Sequence, residues 1–343
     1  MPQEFVVTAS RTIKFRDYSD EKPGEDEVLV KSLVSGIKSG TEMSLYQGET
    51  PFLTNQFDPV LRLFTPAEQK GLYPCNLGSW LCGMVVETGA RVKNFKPGDM
   101  VHGGLPHRPT NLCKEDALYL LKKGMSPETS LFTDPTIFAL QAVHDAQIKV
   151  GDQVDVFGLG ALGLLAVQIA KLNGAERVFA VDVLPQRLEL AKRFGAEVCL
   201  DASQCNAGLE IKTMTGGKGV DAGIEISGAY AALQTAIRAM HPGGLLVTAS
   251  YFKGNGNQLN LGAEWHHNRI TLVSSMPVWG MPHRNYPMWD QKRIEETALR
   301  LLENRQLETA AMIGKRFPYT QAADAYRFID SDPAGAVKVI LDY

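Results

Sequence analysis

The sequence predicts an α/β chain in which a doubly wound parallel sheet follows a β-rich, barrel-like domain. Three observations predict it. Short alternating runs broken by turn residues fill the chain up to residue 124. From residue 125 to 286, apolar runs alternate with helical patterns, the rhythm of a parallel sheet covered on both faces. A glycine cluster, 158–163, stands between the first of those runs and the helix that follows it. The length of 343 residues, with 44% hydrophobic and 21% charged content, suits two globular domains with cores of their own.

In chain order, EVLVKSLV (27–34), LCGMVVETG (81–89) and FKPGDMVHG (95–103) alternate apolar and polar residues and read as strands of the first domain. The second domain pairs QVDVF with the helix ALGLLAVQIAKLN, RVFAVD with PQRLELAKRFG, and GVDAGIEI with AALQTAIRAM. Two more strands follow, GGLLVTAS and ITLVSS. The tail, 287–343, holds a helix around RIEETALRLLEN, another around QAADAYRFID and a final strand AVKVILD, and is expected to return to the first domain. The sequence contains no internal repeat and no low-complexity segment.

Charge and composition exclude several classes. With 35 Lys+Arg against 38 Asp+Glu, a formal charge of -3 and no basic block, the footprint of a nucleic-acid binder is missing. The start, MPQEFVVTASRTIKF, lacks a basic segment followed by an apolar one, and no run approaches the roughly 18 apolar residues of a spanning helix. A cytoplasmic protein acting on a small molecule, without nucleic acid or membrane, is expected. Five cysteines (Cys75, Cys82, Cys113, Cys199, Cys205) at irregular spacing give neither a disulfide framework nor a four-thiolate zinc module, so free thiols are expected.

The strongest chemical signal is VDVFGLGALGLLAVQIAKL (154–172). Gly158, Gly160 and Gly163 form G-x-G-x-x-G between a strand and a helix, where a tight turn, a close backbone approach to pyrophosphate and a helix N-terminus coincide. The next strand, RVFAVD, ends in Asp182, 19 residues after Gly163, where a carboxylate accepts both ribose hydroxyls and repels a 2′-phosphate. NAD is therefore expected over NADP. Leu162 and Ser227 join the cofactor-binding set, and Arg187 either lies against the adenine or is a solvated helix arginine. The competing reading is a glycine turn that only packs helix on strand, with Asp182 a helix cap before Pro185.

With these stretches, SGIKSGTE, NFKPGDMV (94–101) and AEVCLDAS, the chain resembles the medium-chain dehydrogenase/reductase superfamily over essentially its full length, and DPTIFALQAVHDA (134–146) is most similar to its sorbitol and threonine dehydrogenase branch. The resemblance implies a GroES-like catalytic domain (1–124), a Rossmann NAD-binding domain (125–286), a return segment (287–343) that completes the catalytic domain, and an active site in the cleft between domains. In zinc-dependent relatives the position of Lys38 is the cysteine of a Cys-Gly-x-Asp-like turn. The Gly-His-Glu ligand signature matches Gly78-Ser79-Trp80, and the third ligand matches Asp134. The cysteines of the structural zinc lobe are missing, since residues 95–125 contain only Cys113. One possible ligand out of three or four cannot hold Zn²⁺ at neutral pH, so a zinc-free member is expected.

Lys38 then has a reason to be there. Without a metal, some group must steady the developing alkoxide and exchange its proton, and an ammonium can do both, with Asp134 orienting it. A lysine whose metal role has lapsed is the alternative. His107 is a second acid/base candidate, or a solvated loop histidine. Glu42 either binds a substrate hydroxyl or serves as the N-terminal acid of the helix TEMSLYQG. His102 and His144 rank lower. Gln141 belongs to the same polar inventory, and in PVWGMPHRNYPMWD (277–290) Trp279 or Trp289 can stack on a sugar face or fill a core. The expected function is an NAD-dependent dehydrogenase of a polyol, cyclitol or sugar hydroxyl. A zinc-free quinone or enone reductase and a catalytically idle dinucleotide-binding protein are the alternatives. The edge strand ITLVSS (270–275) points to a homodimer or homotetramer.

Overall fold

A computed structural model describes residues 1–67, 72–277 and 286–343, and divides the chain into two units. The first comprises Met1–Phe132 with Ile313–Tyr343, the second Thr133–Met312. These boundaries differ from the expected ones at 124/125 and 286/287, for two reasons of packing. The short helix Pro127–Ser130 lies on the strands Glu27–Gly36 and Trp80–Thr88 and stays with the first unit. The helix Gln291–Glu303 buries Ile294, Ala298, Leu299 and Leu302 and packs on the helix Thr133–Asp145, so the segment that rejoins the first unit begins only at Ile313.

The first unit is built on a seven-stranded sheet. Its main path runs Ile313–Pro318, Lys338–Asp342, Glu27–Gly36, Trp80–Thr88, Met100–Gly103, Leu118–Leu120, and Thr110–Lys114 also pairs with Glu27–Gly36. Alternation along Glu27–Gly36 works as the pattern demands: Val28, Val30 and Val34 are buried while Lys31 and Leu33 are exposed. Opposite them Leu81 and Val85 face the same interior, joined by Val101, Leu105 and Leu118. On a second core, the helix Ala322–Ser331 packs its buried Ala325, Tyr326 and Ile329 against Met43 and Tyr46 of the helix Thr41–Gln47 and against Phe5 and Val7 of the hairpin Gln3–Ala9/Thr12–Asp17.

The second unit is a Rossmann fold. Six parallel strands stand in the order Val198–Asp201, Arg177–Asp182, Gln153–Phe157, Val220–Glu225, Met240–Thr248, Thr271–Ser274. The order reverses between Gln153–Phe157 and Val220–Glu225, which makes the C-terminal ends of those two strands the switch point where a ligand crevice forms. Covered on both faces, the strands are apolar on both faces: Val154, Val156 and Phe157, then Val178, Phe179, Ala180 and Val181, are all buried.

In the central strand Asp155 breaks that rule. It is fully buried, and neither carboxylate oxygen has a hydrogen-bond partner among the described residues. Its neighbour across the ladder is Gly223, where a Cβ would lie 2.5 Å from Asp155 Oδ1. Burial pushes the Asp155 carboxyl well above its ordinary pKa, so the folded chain holds this proton and the unfolded chain releases it. The contribution is fully present below the unfolded value of about 3.9 and is lost as pH rises toward the folded value, by at most about 1.4 kcal/mol per pH unit. Asp155→Asn, which cannot ionise, is expected to flatten the decline of thermal stability between mildly acidic and mildly basic pH. Melting curves at stepped pH check this, and parallel pH profiles for the two proteins would refute it.

Candidate active site

The glycine turn of the second unit gives each glycine a different task. Gly158 follows the central strand at φ +91°, and a Cβ there would lie 2.6 Å from both the backbone nitrogen and Cβ of Ser227. Gly163 has no room for a Cβ against the carbonyl oxygen of Gly158, which is how the helix Ala161–Leu172 comes so close to the strand. Gly160 is the opposite case. It is the N-cap of that helix, makes no side-chain cap, and a Cβ on it would meet nothing within 4 Å. A free helix N-terminus with an open face above it, and Leu162 half-buried in its first turn, fits a dinucleotide pyrophosphate.

Asp182 is fastened to this turn. Its Oδ2 accepts the Leu159 N–H at 2.6 Å, and Oδ1 accepts the N–H groups of Val183 (2.8 Å) and Leu184 (3.0 Å). It does not cap the helix Pro185–Arg193, whose N-cap Leu184 makes no side-chain bond, so the reading of Asp182 as a helix cap is overturned. Arg187 is not solvated either. Half-buried, its Nη1 lies 3.9 Å from Asp182 Oδ2, and burial lowers the guanidinium pKa against the raising effect of Asp182. Ser227 is exposed, with its N–H (2.8 Å) and hydroxyl both donating to Glu225 Oε1.

In the first unit, the strand Glu27–Gly36 runs through Ile37 and the half-buried Lys38 into the helix Thr41–Gln47. Glu42, in the first turn of that helix, is buried rather than facing solvent. Its Oε1 accepts the Lys38 backbone N–H at 2.9 Å, and its Oε2 accepts from His107 Nε2 at 3.0 Å and from the Tyr326 hydroxyl. His107 Nδ1 is 2.7 Å from Ser35 Oγ, which is 3.0 Å from the Tyr343 hydroxyl. His107 is thus a buried link with both ring nitrogens engaged, stacked on Phe5 at 5.8 Å, and not a solvated loop histidine. Burial pushes the Glu42 carboxyl pKa up, but the charge and hydrogen bond of His107, with the bonds from Tyr326 and Lys38, outweigh it and leave the pKa lowered.

A lysine that the sequence analysis passed over also reaches this turn. Lys338 is buried, with Nζ 3.4 Å from the carbonyl oxygen of Ile37 and 5.9 Å from the centre of the Phe132 ring. Gly36 lies against it: a Cβ there would come within 2.5 Å of Lys338 Cε, so the lysine side chain would have to shift. Its signal was a cation inside AVKVILD, with apolar residues on both sides of it.

At Gly78-Ser79-Trp80, Trp80 belongs to an aromatic cluster. Trp80 Nε1 donates to His102 Nδ1 at 3.0 Å, and the indole stacks on Tyr119 at 6.2 Å. Burial pushes the His102 pKa down to about 4, which keeps it neutral. Among the described residues, no group of three or more His, Cys, Asp or Glu side chains is placed to hold a metal ion.

The remaining candidates sit in the second unit. Asp134 is half-buried in the first turn of the helix Thr133–Asp145. In the same helix Gln141 is buried, and its amide donates to Asp145 Oδ2 at 2.9 Å. Trp289 is half-buried between His144, edge-on at 4.4 Å, and Arg293, 4.1 Å above its ring, so it fills a packing site. Trp279 lies outside the described residues. No helix among the described residues is long and apolar enough to cross a membrane.

Comparison with known proteins agrees with this geometry. Residues 161–291 match the family described as "Zinc-binding dehydrogenase". The chain is 34% identical over 346 residues to the D-guloside 3-dehydrogenase of Escherichia coli (strain K12), covering 98% of this chain and 99% of that one. It is 30% identical to the (R,R)-butanediol dehydrogenase of Bacillus subtilis (strain 168), covering 76% and 79%. Among solved structures, a dehydrogenase of Escherichia coli CFT073 complexed with NADH superposes with a TM-score of 0.80 at 17% identity, over 100% of this chain and 99% of that one. A putative zinc-binding dehydrogenase of Sinorhizobium meliloti 1021 bound to NADP superposes with a TM-score of 0.79 at 22% identity, over 99% of each. Full-length similarity, the Rossmann unit and the β-rich unit that accompanies it make this chain a member of the medium-chain dehydrogenase/reductase superfamily, of the zinc-type alcohol dehydrogenase-like kind.

Proposed function

We propose that the chain is a zinc-independent oxidoreductase that uses NAD to interconvert a secondary hydroxyl and a ketone on a polyol, cyclitol or sugar-like substrate. The observation that carries the reading is the open N-terminus at Gly160, tied through Leu159 to Asp182, in a chain similar over its whole length to a D-guloside 3-dehydrogenase. The turn 158–163 and Asp182 would hold the dinucleotide, which supplies the two-electron acceptor. The chain's own residues must bind and orient the hydroxyl and take its proton. Lys38 is the proposed acid/base, oriented by Asp134. Glu42 and His107, both buried, act as positioning residues, since Glu42 holds the Lys38 backbone N–H at 2.9 Å. The protein is proposed to act in the cytoplasm as a homodimer or homotetramer, through the edge strand Thr271–Ser274. The direct test is purified protein with NAD and a panel of glycosides, sugars, inositols and polyols, followed by nicotinamide absorbance. Absence of turnover on every hydroxyl, with reduction of an enone instead, would replace this reading.

Cofactor choice is the first expected outcome. Structural neighbours hold NADP in one case and NADH in another, so the fold does not choose and the residue at the end of the second strand must. NAD binds more tightly than NADP, and Asp182→Ala narrows the gap, because the carboxylate both accepts from ribose hydroxyls and repels phosphate. Titration calorimetry with both nucleotides decides it, and equal affinities in the unmutated protein would count against the assignment.

Metal analysis is the second. With an indole and a serine hydroxyl in the ligand signature, elemental analysis finds no stoichiometric zinc, and chelators leave folding and turnover unchanged. One zinc retained per chain after dialysis would refute it.

The acid/base assignment is the third. Lys38→Ala lowers turnover by about 10²-fold with NAD binding nearly intact, the usual scale for losing one acid/base group. Lys38→Arg restores little, since a guanidinium does not give up its proton. Asp134→Asn costs less and moves the pH profile. Ser39→Ala is the control, because Gly40 and Glu42 also fit the Gly-x-acid spacing of the turn with Ser39 in the cysteine's place. Steady-state kinetics on a verified substrate reads all four, and near-normal turnover in Lys38→Ala removes the lysine from the mechanism.

A further inference from the structure

Three loops edge the C-terminal ends of the parallel strands on either side of the switch point: 158–160, 226–229 and 249–251. Their backbones are joined at the root, where Ile226 N–H donates to Phe157 O at 2.8 Å and Ala249 N–H donates to Glu225 O at 2.9 Å. Beyond the root one side chain joins them. Glu225, the last residue of the strand Val220–Glu225, is fully buried, and its acceptors are directed at two of the loops. Oε1 accepts the N–H of Ser227 (2.8 Å), the Ser227 hydroxyl and the N–H of Gly228 (3.2 Å), while Oε2 accepts the Ser250 hydroxyl at 2.8 Å.

Close packing turns these bonds into a fixed height. The 226–229 loop is wedged: Ser227 abuts Gly158 so tightly that a Cβ on Gly158 would lie 2.6 Å from it, and a Cβ on Gly228, at φ +77°, would lie 2.7 Å from the carbonyl oxygen of Tyr251. A carboxylate in such a place is costly, and burial raises its pKa despite four hydrogen-bond donors. Folding alone does not ask for it, since the strand pairings on both sides are made by backbone groups. What it does set is the position of two loops on one side of the crevice.

That side can be named. Asp182 ends the strand Arg177–Asp182 on the far side of the central strand, where the acid reads the adenosine ribose. The loops after Val220–Glu225 and Met240–Thr248 therefore border the other half. We infer that Glu225 is a positioning residue for the nicotinamide half of the dinucleotide, holding the 226–229 and 249–251 loops where that half docks without touching it. The inference rests on the dinucleotide reading proposed above.

The test compares a whole cofactor with its adenosine fragment by titration calorimetry on the full-length protein: NADH against AMP, or NADPH against 2′-phospho-AMP if the unmutated protein prefers phosphate. Glu225→Ala leaves the Ser227 and Gly228 N–H groups without an acceptor and is expected to weaken NADH by about 10-fold or more while AMP stays within about twofold. Glu225→Gln keeps an amide oxygen for those N–H groups, and Ser250 can turn to accept from its amide, so most of the NADH affinity returns. Should Glu225→Ala not fold, Ser250→Ala removes only the Ser250 bond and is expected to show a smaller loss with the same split. Equal losses for NADH and AMP, or none for either, overturn the inference and leave the dinucleotide reading standing. A folded wild type that binds neither ligand overturns the reading and the inference together.

Discussion

The second unit depends on the absence of a side chain at Gly163. With no β-carbon there, the helix Ala161–Leu172 reaches the carbonyl oxygen of Gly158, and its N-terminus opens at Gly160 over the ends of the strands. Everything proposed for the cofactor follows from that approach. Leu159, between the two glycines, is brought to Asp182, so the acid at the end of the neighbouring strand is aligned by the turn it serves. Gly158, on the other flank, lets Ser227 come equally close, and through Ser227 and Gly228 the turn is coupled to Glu225. A larger residue at 163 would lift the helix and move all of these at once.

The first unit is organised around a buried anion instead. Glu42 in a core of Phe5, Met43, Tyr46 and Tyr326 would be strongly unfavourable alone, because a carboxylate loses its hydration there. Three donors from three parts of the chain compensate: the Lys38 backbone, His107 and Tyr326. Each of those parts is thereby fixed relative to the others, and Ser35 and Tyr343 extend the network along the strand Glu27–Gly36 and to the end of the return segment. Such a network is rigid when complete and costly when one member is missing. This is why Glu42 and His107 are proposed as positioning residues and Lys38 as the acid/base.

The strand, glycine turn and helix were legible in the sequence because all their parts are local. Strand, glycines, helix and acid lie within about thirty residues, and each has a composition signal. The fold class was legible for the same reason: period-two and period-3.6 patterns are properties of short segments. Long-range relations were not. Nothing in QAADAYRFID says that Tyr326 reaches Glu42, 284 residues away, and nothing in HGGLPHRPTN says that His107 points inward. The unit boundary at Ile313 was not legible because RIEETALRLLEN shows an apolar stripe but not its partner, which is the helix Thr133–Asp145. Glu225 and Lys338 were missed because an acid ending a strand, or a lysine within one, reads as solvated unless the burial of both faces is known.

The family match and the proposed loss of zinc are compatible once the two units are considered separately. The "Zinc-binding dehydrogenase" match covers residues 161–291, all within the Rossmann unit, whereas the ligand turn and the Gly78-Ser79-Trp80 stretch belong to the other unit. A strand–turn–helix that receives a dinucleotide makes no demand on how the substrate hydroxyl is polarised, so one unit can keep its sequence while the other changes chemistry. In the β-rich unit the proposed loss is accompanied by other contacts. Trp80 is bonded to a neutral His102 and stacked on Tyr119 in a packed aromatic cluster. The adjoining turn carries Lys38 and, from the return segment, the buried Lys338 at the Ile37 carbonyl. Two lysines thus stand at this turn, one half-buried and one buried, and the proposed acid/base chemistry draws on the first of them.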